Sequence, residues 1–404
     1  MKITLSFFKN ASLLMIAFFA ITSCHLDPDQ SVETKAQQIA QKYIIVDSHV
    51  DLPNWIFEEF NDVSKLNYDG NFDFNKAKKG GLDSPFLAVY VSPRHEGTPR
   101  SMEKANEQLD LLDKLLELNA DKFARALTPD DVKRNFRNHK ISIPFGLENG
   151  APIMGDLKNL AYFYERGIRY ITVVHGKSNH ICDSSYDSVR VWNGLSEFGV
   201  ELIAEMNKMG MIVDISHTSE KAFYDIMKVA KAPVAATHSN ARHFTPGFER
   251  NLTDDMIKMI ADKGGIIQIA FGSGFITSRP NEYRQASRLA FEKFVVENGL
   301  DNNSPELDGF RKEYYENHPY PYASIDELLD HFDHVVKLVG VDHVGFGSDF
   351  EGVGDSLPEG LKDVSGYPNL IAGLLDRGYT EEDLEKIMGL NFLNFWQRVQ
   401  DLAE

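Results

Sequence analysis

The sequence predicts an α/β fold, a closed (β/α)8 barrel of the TIM type, on three observations. Eight short runs of apolar and β-branched residues alternate with segments of helical periodicity. The runs are continuously apolar, which is typical of strands buried on both faces of a parallel sheet. The first run leads into Ser48-His49-Val50-Asp51, where an open doubly wound sheet would carry a glycine-rich phosphate loop. Eight such units in one chain therefore favour a closed barrel.

The eight predicted strands are short, as strands of globular proteins usually are. They span residues 44–47, 86–91, 141–147, 170–174, 211–216, 233–237, 264–270 and 343–348. The chain has 404 residues, enough to close one large barrel as a single domain. We therefore expect residues 35–404 to form that one barrel domain.

The segments between the strands carry helix signals. Residues 101–118 repeat leucines on one face, and residues 196–209 carry an apolar stripe before Gly210, which is expected to end that helix. Ser324 and Glu327 form a capping-box pattern that opens a predicted helix running to Val339. The longest connection, residues 271–342, lies between the seventh and eighth strands, so we expect extra helices and an insertion at about 272–323.

The charge balance excludes one class of partner. The formal net charge is −18, whereas proteins that bind nucleic acid present a basic face to its phosphates. We therefore expect no nucleic-acid partner. An apolar fraction of 43% is ordinary for a globular protein that buries a sizeable core.

The N-terminus is predicted to be a targeting segment and not part of the barrel. Residues 1–23 combine Lys2 and Lys9 with an apolar run at 11–22 that is short for a membrane span, which is typical of a bacterial export signal.

The end of this segment, ITSC at 21–24, resembles a lipobox, in which Cys24 receives a lipid and becomes the first mature residue. Residues 24–34 would then be a polar, lipidated tether. The sequence thus predicts an exported lipoprotein, anchored in a membrane of a bacterial cell envelope and facing the periplasm or the cell surface. The alternative is an ordinary secretory signal, with Cys24 incidental.

Side chains that bind metals or move protons follow most of the predicted strands. Active sites of such barrels lie at the carboxyl ends of the strands. Singly, each residue has a structural interpretation: a hydrogen-bonded histidine, an aspartate that caps a helix, a glutamate paired with lysine. Gathered at one end of a barrel, they predict a metal site. The residues are His49 and Asp51 after the first strand, Glu148 after the third, His175 after the fourth, His217 after the fifth, His238 after the sixth and Asp349 after the eighth.

The spacing of these residues indicates how they would share cations. His49 and Asp51 are two residues apart, so both side chains point the same way on an extended segment. Glu148 has two oxygens and can bridge two cations, and His217 and His238 offer neutral imidazoles to the second. Such ligands suit zinc best, and they also accept manganese or cobalt. Two further histidines, His331 and His334, fall inside a predicted helix and are interpreted as structural.

Five segments resemble the membrane dipeptidase family, the zinc dipeptidases of the renal type. They occur in the family's order and span most of the chain. The segments are VDSHVDLP at 46–53, GLENG at 146–150, GMIVDISHTS at 210–219, THSNAR at 237–242 and VGFGSDFEG at 344–352.

The resemblance implies a barrel of the metal-dependent hydrolase type with two zinc ions. A metal-bridging hydroxide would hydrolyse dipeptides that have a free C-terminal carboxylate. The resemblance also implies a homodimer, for which the sequence itself shows no interface. The implied roles are one zinc bound by His49 and Asp51, the other by His217 and His238, both bridged by Glu148, proton transfer by Asp349, contact with the substrate carbonyl by His175 and binding of the terminal carboxylate by Arg242.

The chain departs from the family pattern at several points. Ser48 and Val50 flank His49 where the family usually has Gly-His-Asn-Asp, and Asn149 separates Glu148 from glycine. The loop after His175 and the insertion also differ from the renal-type enzymes, which leaves the side-chain preference open.

Two alternatives to the dipeptidase remain open. One is another metal-dependent barrel hydrolase that acts on lactones, esters or ring amides. Such enzymes often place His-x-His after the first strand and a carbamylated lysine after the fourth, whereas this chain has HVD at 49–51 and His175 there. The other is an inactive surface binding protein on the same barrel.

Overall fold

The computed structural model describes residues 31–58, 62–65, 69–301 and 304–404. Eight parallel strands close into a barrel in which each strand pairs with its neighbours in chain order, and the eighth pairs with the first. The predicted (β/α)8 fold is therefore confirmed. The barrel strands are β1 Ile45–Val50, β2 Leu82–Tyr90, β3 Phe145–Glu148, β4 Ile168–Thr172, β5 Ile212–Asp214, β6 Ala235–Ala236, β7 Ile266–Ile269 and β8 Val344–Phe346.

Helices cover the outside of the barrel and fill the connections. They are α1 Val32–Lys42, α2 Leu52–Glu58, α3 Phe74–Gly80, α4 Arg100–Leu118, α5 Pro129–Arg137, α6 Leu157–Glu165, α7 Glu197–Lys208, α8 Glu220–Val229, α9 Asp254–Asp262, α10 Ser273–Ile276, α11 Arg279–Asn298, α12 Glu306–Asn317, α13 Ile325–Val339, α14 Tyr367–Asp376, α15 Glu381–Glu385 and α16 Asn391–Asp401. No helix in the described ranges is long and apolar enough to cross a membrane.

The helix caps predicted from the sequence are present. Gly210 follows the end of α7 in a left-handed conformation, with φ 67°, and Ser324 and Glu327 form the capping box of α13. The segment predicted as an insertion, about 272–323, holds α10, α11 and α12. Helix α1 begins at Val32, inside the predicted tether, with Ser31 as its cap. The predicted signal and Cys24 lie outside the described residues.

One strand prediction is wrong. The apolar run at 141–147 is not a single barrel strand. Its first half, Ile141–Ile143, pairs in parallel with Phe123–Arg125 in a small two-stranded sheet beside the barrel, and only the second half is β3. Pro144 lies between the halves, and because proline has no N–H to donate, it breaks the ladder there.

The barrel interior is solid at its amino-terminal end. Phe86 and Tyr170 fill it from β2 and β4, and α16 closes this end with Phe392 and Trp396. The Phe86 ring contacts both α16 rings edge to face, at centroid distances of 5.1 Å and 5.2 Å. The amino-terminal end of the described barrel is therefore filled with side chains, which leaves the carboxyl ends of the strands as the place for a site.

Candidate active site

A cavity of about 650 Å³ opens at the carboxyl ends of the strands. Five of the predicted side chains line it directly: Asp51, Glu148, His175, His217 and Asp349. His49 and His238 lie fully buried beneath its floor. The fold therefore brings the five predicted ligands and the two predicted catalytic residues to one place.

Glu148, the last residue of β3, lies at the centre of this group. Its Oε1 is 3.3 Å from His217 Nε2, 3.5 Å from His238 Nε2 and 3.6 Å from His49 Nε2 and from His175 Nε2. Burial alone would raise the pKa of Glu148, but the neighbouring imidazoles, His175 and His49 foremost, hold it well below its usual value. Glu148 is therefore a buried carboxylate facing several imidazoles.

The donor set fits metal cations. His217 Nε2 and His238 Nε2 face each other at 3.0 Å, and burial lowers the pKa of both well below the usual value, so their ring nitrogens carry lone pairs at neutral pH. The buried atoms His49 Nε2 and Asp51 Oδ1 have no hydrogen-bond partner among the residues that the structure describes. Buried polar atoms are rarely left without a partner. A metal cation bound between these side chains would give several of their nitrogen and oxygen atoms a partner.

Three overlapping groups in the described chain could each hold one cation, with all ligand atoms of a group within 4.8 Å of one another. Glu148 belongs to two of the groups, and His49 also belongs to two, which suits adjacent cations that share ligands. The groups are His49 with Glu148 and His238, Glu148 with His175 and His217, and His49 with Asp51 and Asp349.

A hydrogen-bond chain behind His238 sets its tautomer. The Thr237 hydroxyl donates to Asp214 Oδ2 at 2.7 Å, so it can only accept from His238 Nδ1, 2.8 Å away. Nδ1 therefore carries the proton, and Nε2 presents its lone pair to the site. Thr172 donates to the same Asp214 oxygen at 2.5 Å. On the other side, the Tyr170 hydroxyl lies 2.8 Å from His49 Nδ1.

Asp51 and Asp349 form a pair of carboxyls at the cavity wall. Burial, followed by the charge of Asp51, raises the pKa of Asp349 well above its usual value. Burial and the charge of Glu148 likewise raise the pKa of Asp51. Gly352 makes the pair possible, because a Cβ there would collide with both carboxylates. Asp349 can thus hold or release a proton beside the ligands.

Two site residues adopt a backbone conformation that non-glycine residues seldom take. His217 has φ 68° and Asp349 has φ 64°, both in the left-handed region. Such strain concentrates at functional sites, where the surrounding fold holds it. It turns both side chains toward the cavity directly after β5 and β8.

His175 leans over the ligand group from the end of β4. Its ring packs against Tyr90 and His217, with centroid distances of 4.9 Å and 4.3 Å, and its Nδ1 is buried without a partner. Burial lowers the pKa of His175, although Glu148 opposes the shift. A neutral imidazole at the cavity wall is suited to contact a polar substrate group.

The structure does not bring Arg242 to the cavity, which corrects its predicted role. Arg242 forms an ion pair with Glu220 and donates to the carbonyl oxygens of Asn251 at 2.7 Å and Glu249 at 3.0 Å. All three of its nitrogens are thus engaged in fixing the loop after β6. It is absent from the residues that line the cavity in the described chain.

Another arginine that the sequence interpretation missed, Arg250, lies beside the ligands. It is buried and donates to the Ser239 hydroxyl at 2.6 Å and the His238 carbonyl at 2.8 Å, while its Nε has no partner. Its guanidinium lies 5.3 Å from the ring of Phe275, which lines the cavity. The loop 242–251 folds back to place Arg250 there. Arg250 is twelve residues from His238 in the sequence, so the motif around His238 did not indicate that it would lie beside the ligands.

The other histidines singled out in the sequence lie elsewhere. His331 accepts from the amide of Ala241, and His334 pairs with Asp254 at 2.7 Å, consistent with structural roles. His180 pairs with Glu96 at 2.7 Å.

Comparisons with known proteins agree with this geometry. The sequence profile of the membrane dipeptidase family, Peptidase family M19, matches residues 33–404. Dipeptidase tcpJ of Claviceps purpurea is 34% identical over 341 residues, which cover 83% of this chain and 70% of that protein.

Two solved structures are similar over most of this chain. The structure described as the probable dipeptidase PvdM from Pseudomonas aeruginosa has a TM-score of 0.79 at 27% identity, covering 92% of this chain and 99% of that one. A metallopeptidase from Rhodobacter sphaeroides, bound to a phosphinate mimic of L-Ala-D-Ala, has a TM-score of 0.73 at 25% identity, covering 88% and 99%. The chain therefore belongs to the membrane dipeptidase family, Peptidase family M19, and is a hydrolase that acts on peptide bonds.

Proposed function

We propose that the protein is a two-zinc dipeptidase that hydrolyses dipeptides with a free C-terminal carboxylate. The observation that carries the proposal is the position of Glu148, which has one oxygen within 3.6 Å of four imidazole nitrogens. Beside it, two potential metal-ligand atoms, His49 Nε2 and Asp51 Oδ1, are buried without a hydrogen-bond partner among the described residues. His49 and Asp51 would hold one cation, His217 and His238 the other, and Glu148 would bridge them. Zinc prefers this mixture of histidine and carboxylate, and manganese or cobalt could replace it.

Zinc bound there would supply Lewis-acid activation of water and of the peptide carbonyl. Asp349 moves the protons: its raised pKa lets the carboxyl take a proton from the attacking water and return it to the leaving amine. His175 stands at the cavity wall as a neutral donor for the carbonyl oxygen as negative charge develops on it.

We propose that Arg250, and not Arg242, binds the C-terminal carboxylate of the substrate. Arginine binds a carboxylate with two parallel hydrogen bonds, and the buried Nε of Arg250 has no hydrogen-bond partner among the described residues. Its distance from the ligands is fixed by the bonds to Ser239 and to the His238 carbonyl. A carboxylate bound there would set the length of peptide that reaches Glu148, which favours dipeptides over longer chains.

The test is hydrolysis of L,L- and L,D-dipeptides and matched tripeptides by the metal-free chain, with and without added zinc. We expect release of free amino acids from dipeptides only, and only when zinc is restored. A chain that binds two zinc ions yet cleaves no dipeptide would contradict the proposal. A parallel panel of lactones and esters would then test the other barrel hydrolases, and no turnover in either panel would favour a binding protein.

We also propose, on the sequence pattern alone, that residues 1–23 direct export and that Cys24 carries a lipid anchoring the enzyme in the cell envelope. A bacterial host fed labelled palmitate should label the chain and retain it in membranes, whereas Cys24→Ala should remove both properties. An unlabelled wild-type chain would contradict lipidation. A homodimer, proposed from the family resemblance, can be checked by sedimentation equilibrium.

A further inference from the structure

The outer wall of the active-site cavity contains a cation that the reaction does not use. Arg284, on α11 of the insertion, is exposed and lines the cavity together with Tyr186, Tyr320 and the carboxyls of Glu351 and Asp355. Within the described ranges it is the only lysine or arginine that lines this cavity.

The charge of Arg284 is not neutralised by the acidic residues near it. The one described hydrogen bond of its side chain is from Nη2 to the amide oxygen of Asn281 at 2.6 Å. Asp355 is engaged with Lys362 at 2.8 Å and with the Tyr322 hydroxyl at 2.7 Å. No carboxylate in the described chain lies within ion-pair distance of Arg284, so a guanidinium with free donors faces the cavity.

One carboxylate oxygen of Glu351 is also committed elsewhere. Its Oε1 accepts from the backbone amides of Asn71 at 2.7 Å and Phe72 at 2.9 Å. A carboxylate oxygen that two backbone amides already hold is a poor partner for Arg284, which leaves that partner to come from a ligand.

Arg284 lines the cavity, whereas Arg250 is buried behind its wall, and the two contact neighbouring residues. A Cβ on Gly274 would lie 2.6 Å from Arg284 Nη2, so this guanidinium packs on the Gly274 backbone. The next residue, Phe275, stacks under Arg250 at 5.3 Å. Because Gly274 and Phe275 are adjacent, the two guanidinium groups lie on the same side of the cavity.

We propose that Arg284 selects dipeptides whose C-terminal residue has an acidic side chain. The inference rests on the proposed function, because Arg250 must take the main-chain carboxylate for the side chain of that residue to reach Arg284. Arg284 at the cavity wall and Arg250 beside His238 then match the two carboxylates of a C-terminal aspartate or glutamate. A hydrogen bond to a charged group favours its ligand enough to give roughly 10- to 100-fold discrimination.

The experiment compares kcat/KM for L-Ala-L-Asp with that for its neutral isostere L-Ala-L-Asn in the zinc-loaded full chain, and repeats the pair with the D-residues. We expect the wild-type enzyme to favour the acidic member by roughly 10- to 100-fold. Arg284→Gln should bring the ratio close to one, and Arg284→Glu should invert it and favour L-Ala-L-Lys. Gly274→Ala should lower the ratio as well, because its Cβ displaces the Arg284 guanidinium.

The control is Arg288→Gln, one turn further along α11, where Arg288 pairs with Glu292 at 3.5 Å and does not line the cavity. Its ratio should equal that of the wild type. The inference is overturned if Arg284→Gln lowers kcat/KM for every dipeptide by the same factor, or if L-Asp-L-Ala and not L-Ala-L-Asp carries the preference. Failure of the wild type to cleave any dipeptide would refute the proposed function itself, so the two failures are distinguishable.

Discussion

At the scale of single residues, the site depends on which ring nitrogen of each histidine carries the proton. For His238 that choice is made by Thr237, whose single hydroxyl hydrogen is committed to Asp214. A metal ligand whose second nitrogen is held in this way is oriented before the metal arrives, and loss of such support typically costs about 10- to 100-fold in metal affinity. His238, the candidate metal ligand, and Thr237, which orients its ring, are thus adjacent in the chain.

Thr237→Val should therefore weaken zinc binding by about 10- to 100-fold, because valine keeps the volume but cannot accept from His238 Nδ1. Competition with a chelator of known affinity measures the change. Thr172→Val is the matched control, since it removes a second donor to Asp214 at 2.5 Å but no contact with the histidine. Equal losses in the two variants would show that the effect arises from Asp214 and not from the tautomer.

His175→Ala should lower kcat by about 100- to 1000-fold, because one stabiliser of the developing charge on the carbonyl oxygen is lost. Steady-state rates on a good dipeptide, with zinc content measured in parallel, check this. His139→Asn, on the exposed surface with φ 60°, tests for a general effect of losing a histidine, and asparagine tolerates that backbone conformation. Full zinc content with near-normal turnover in His175→Ala would remove this residue from the mechanism.

The site residues that the sequence predicted correctly follow strands, whereas the carboxylate-binding arginine lies in a loop and was predicted wrongly. His217 and His238 stand directly after strands, and the barrel topology alone gathers strand ends at one face. Arg242 also follows a strand closely, yet its side chain turns to Glu220 and the loop carbonyls. Arg250 reaches the ligands only because the loop 242–251 turns back, a path fixed by tertiary contacts that no short motif encodes.

At the scale of elements, a β-bulge at the other end of the barrel buries a carboxyl. Ile45 pairs with Leu82 and Val46 with Ser84, so Asp83 is the extra residue on β2. Asp83 Oδ2 accepts the amide of Ile45 at 3.1 Å. Burial raises the pKa of Asp83 to about 7 from a model-compound value of 3.8, although this hydrogen bond opposes the rise.

Asp83→Asn should stabilise the barrel at pH 8 and much less at pH 5. Because the folded pKa is raised, the native state retains the proton, and this advantage is lost as pH rises from about 4 through about 7. The ceiling on the gain is about 4 kcal/mol of unfolding free energy, taken from the size of the shift. Urea unfolding at both pH values measures it, with Asp130→Asn, an exposed aspartate, as the control. An equal gain at both pH values would show that Asp83 does not titrate in this range.

Helices and strands were predicted correctly where all sequence signals agree, and wrongly where one apolar run contains two separate strands. The helix from Ser324 was bounded correctly, because cap, apolar stripe and terminal glycine all agree. The run at 141–147 is uniformly apolar on both sides of Pro144, so it resembled one strand although it serves two sheets. Strand β6 is only Ala235–Ala236, shorter than its apolar run, since pairing partners and not hydrophobicity decide its ends.

At the scale of the whole molecule, the candidate ligands connect parts of the chain that are far apart. Glu148 ends β3, His49 lies within β1, and His217 and His238 follow β5 and β6. Without cations, several buried carboxyls and imidazoles face one another with unpartnered atoms, which costs stability. Bound metal would join strands from opposite sides of the barrel in a single cluster.

We therefore expect zinc to stabilise the entire barrel and not just its loops. At free zinc 100-fold above Kd, each site should add about 2.7 kcal/mol to the unfolding free energy, provided that the unfolded chain binds zinc weakly. Urea unfolding followed by far-UV circular dichroism, with chelator or with buffered zinc, measures the difference. Glu148→Gln should lose most of the gain, because the shared ligand carries both sites. If zinc shifted only a minor early transition and left the main one unchanged, the cations would be supporting loops above a barrel that is already complete.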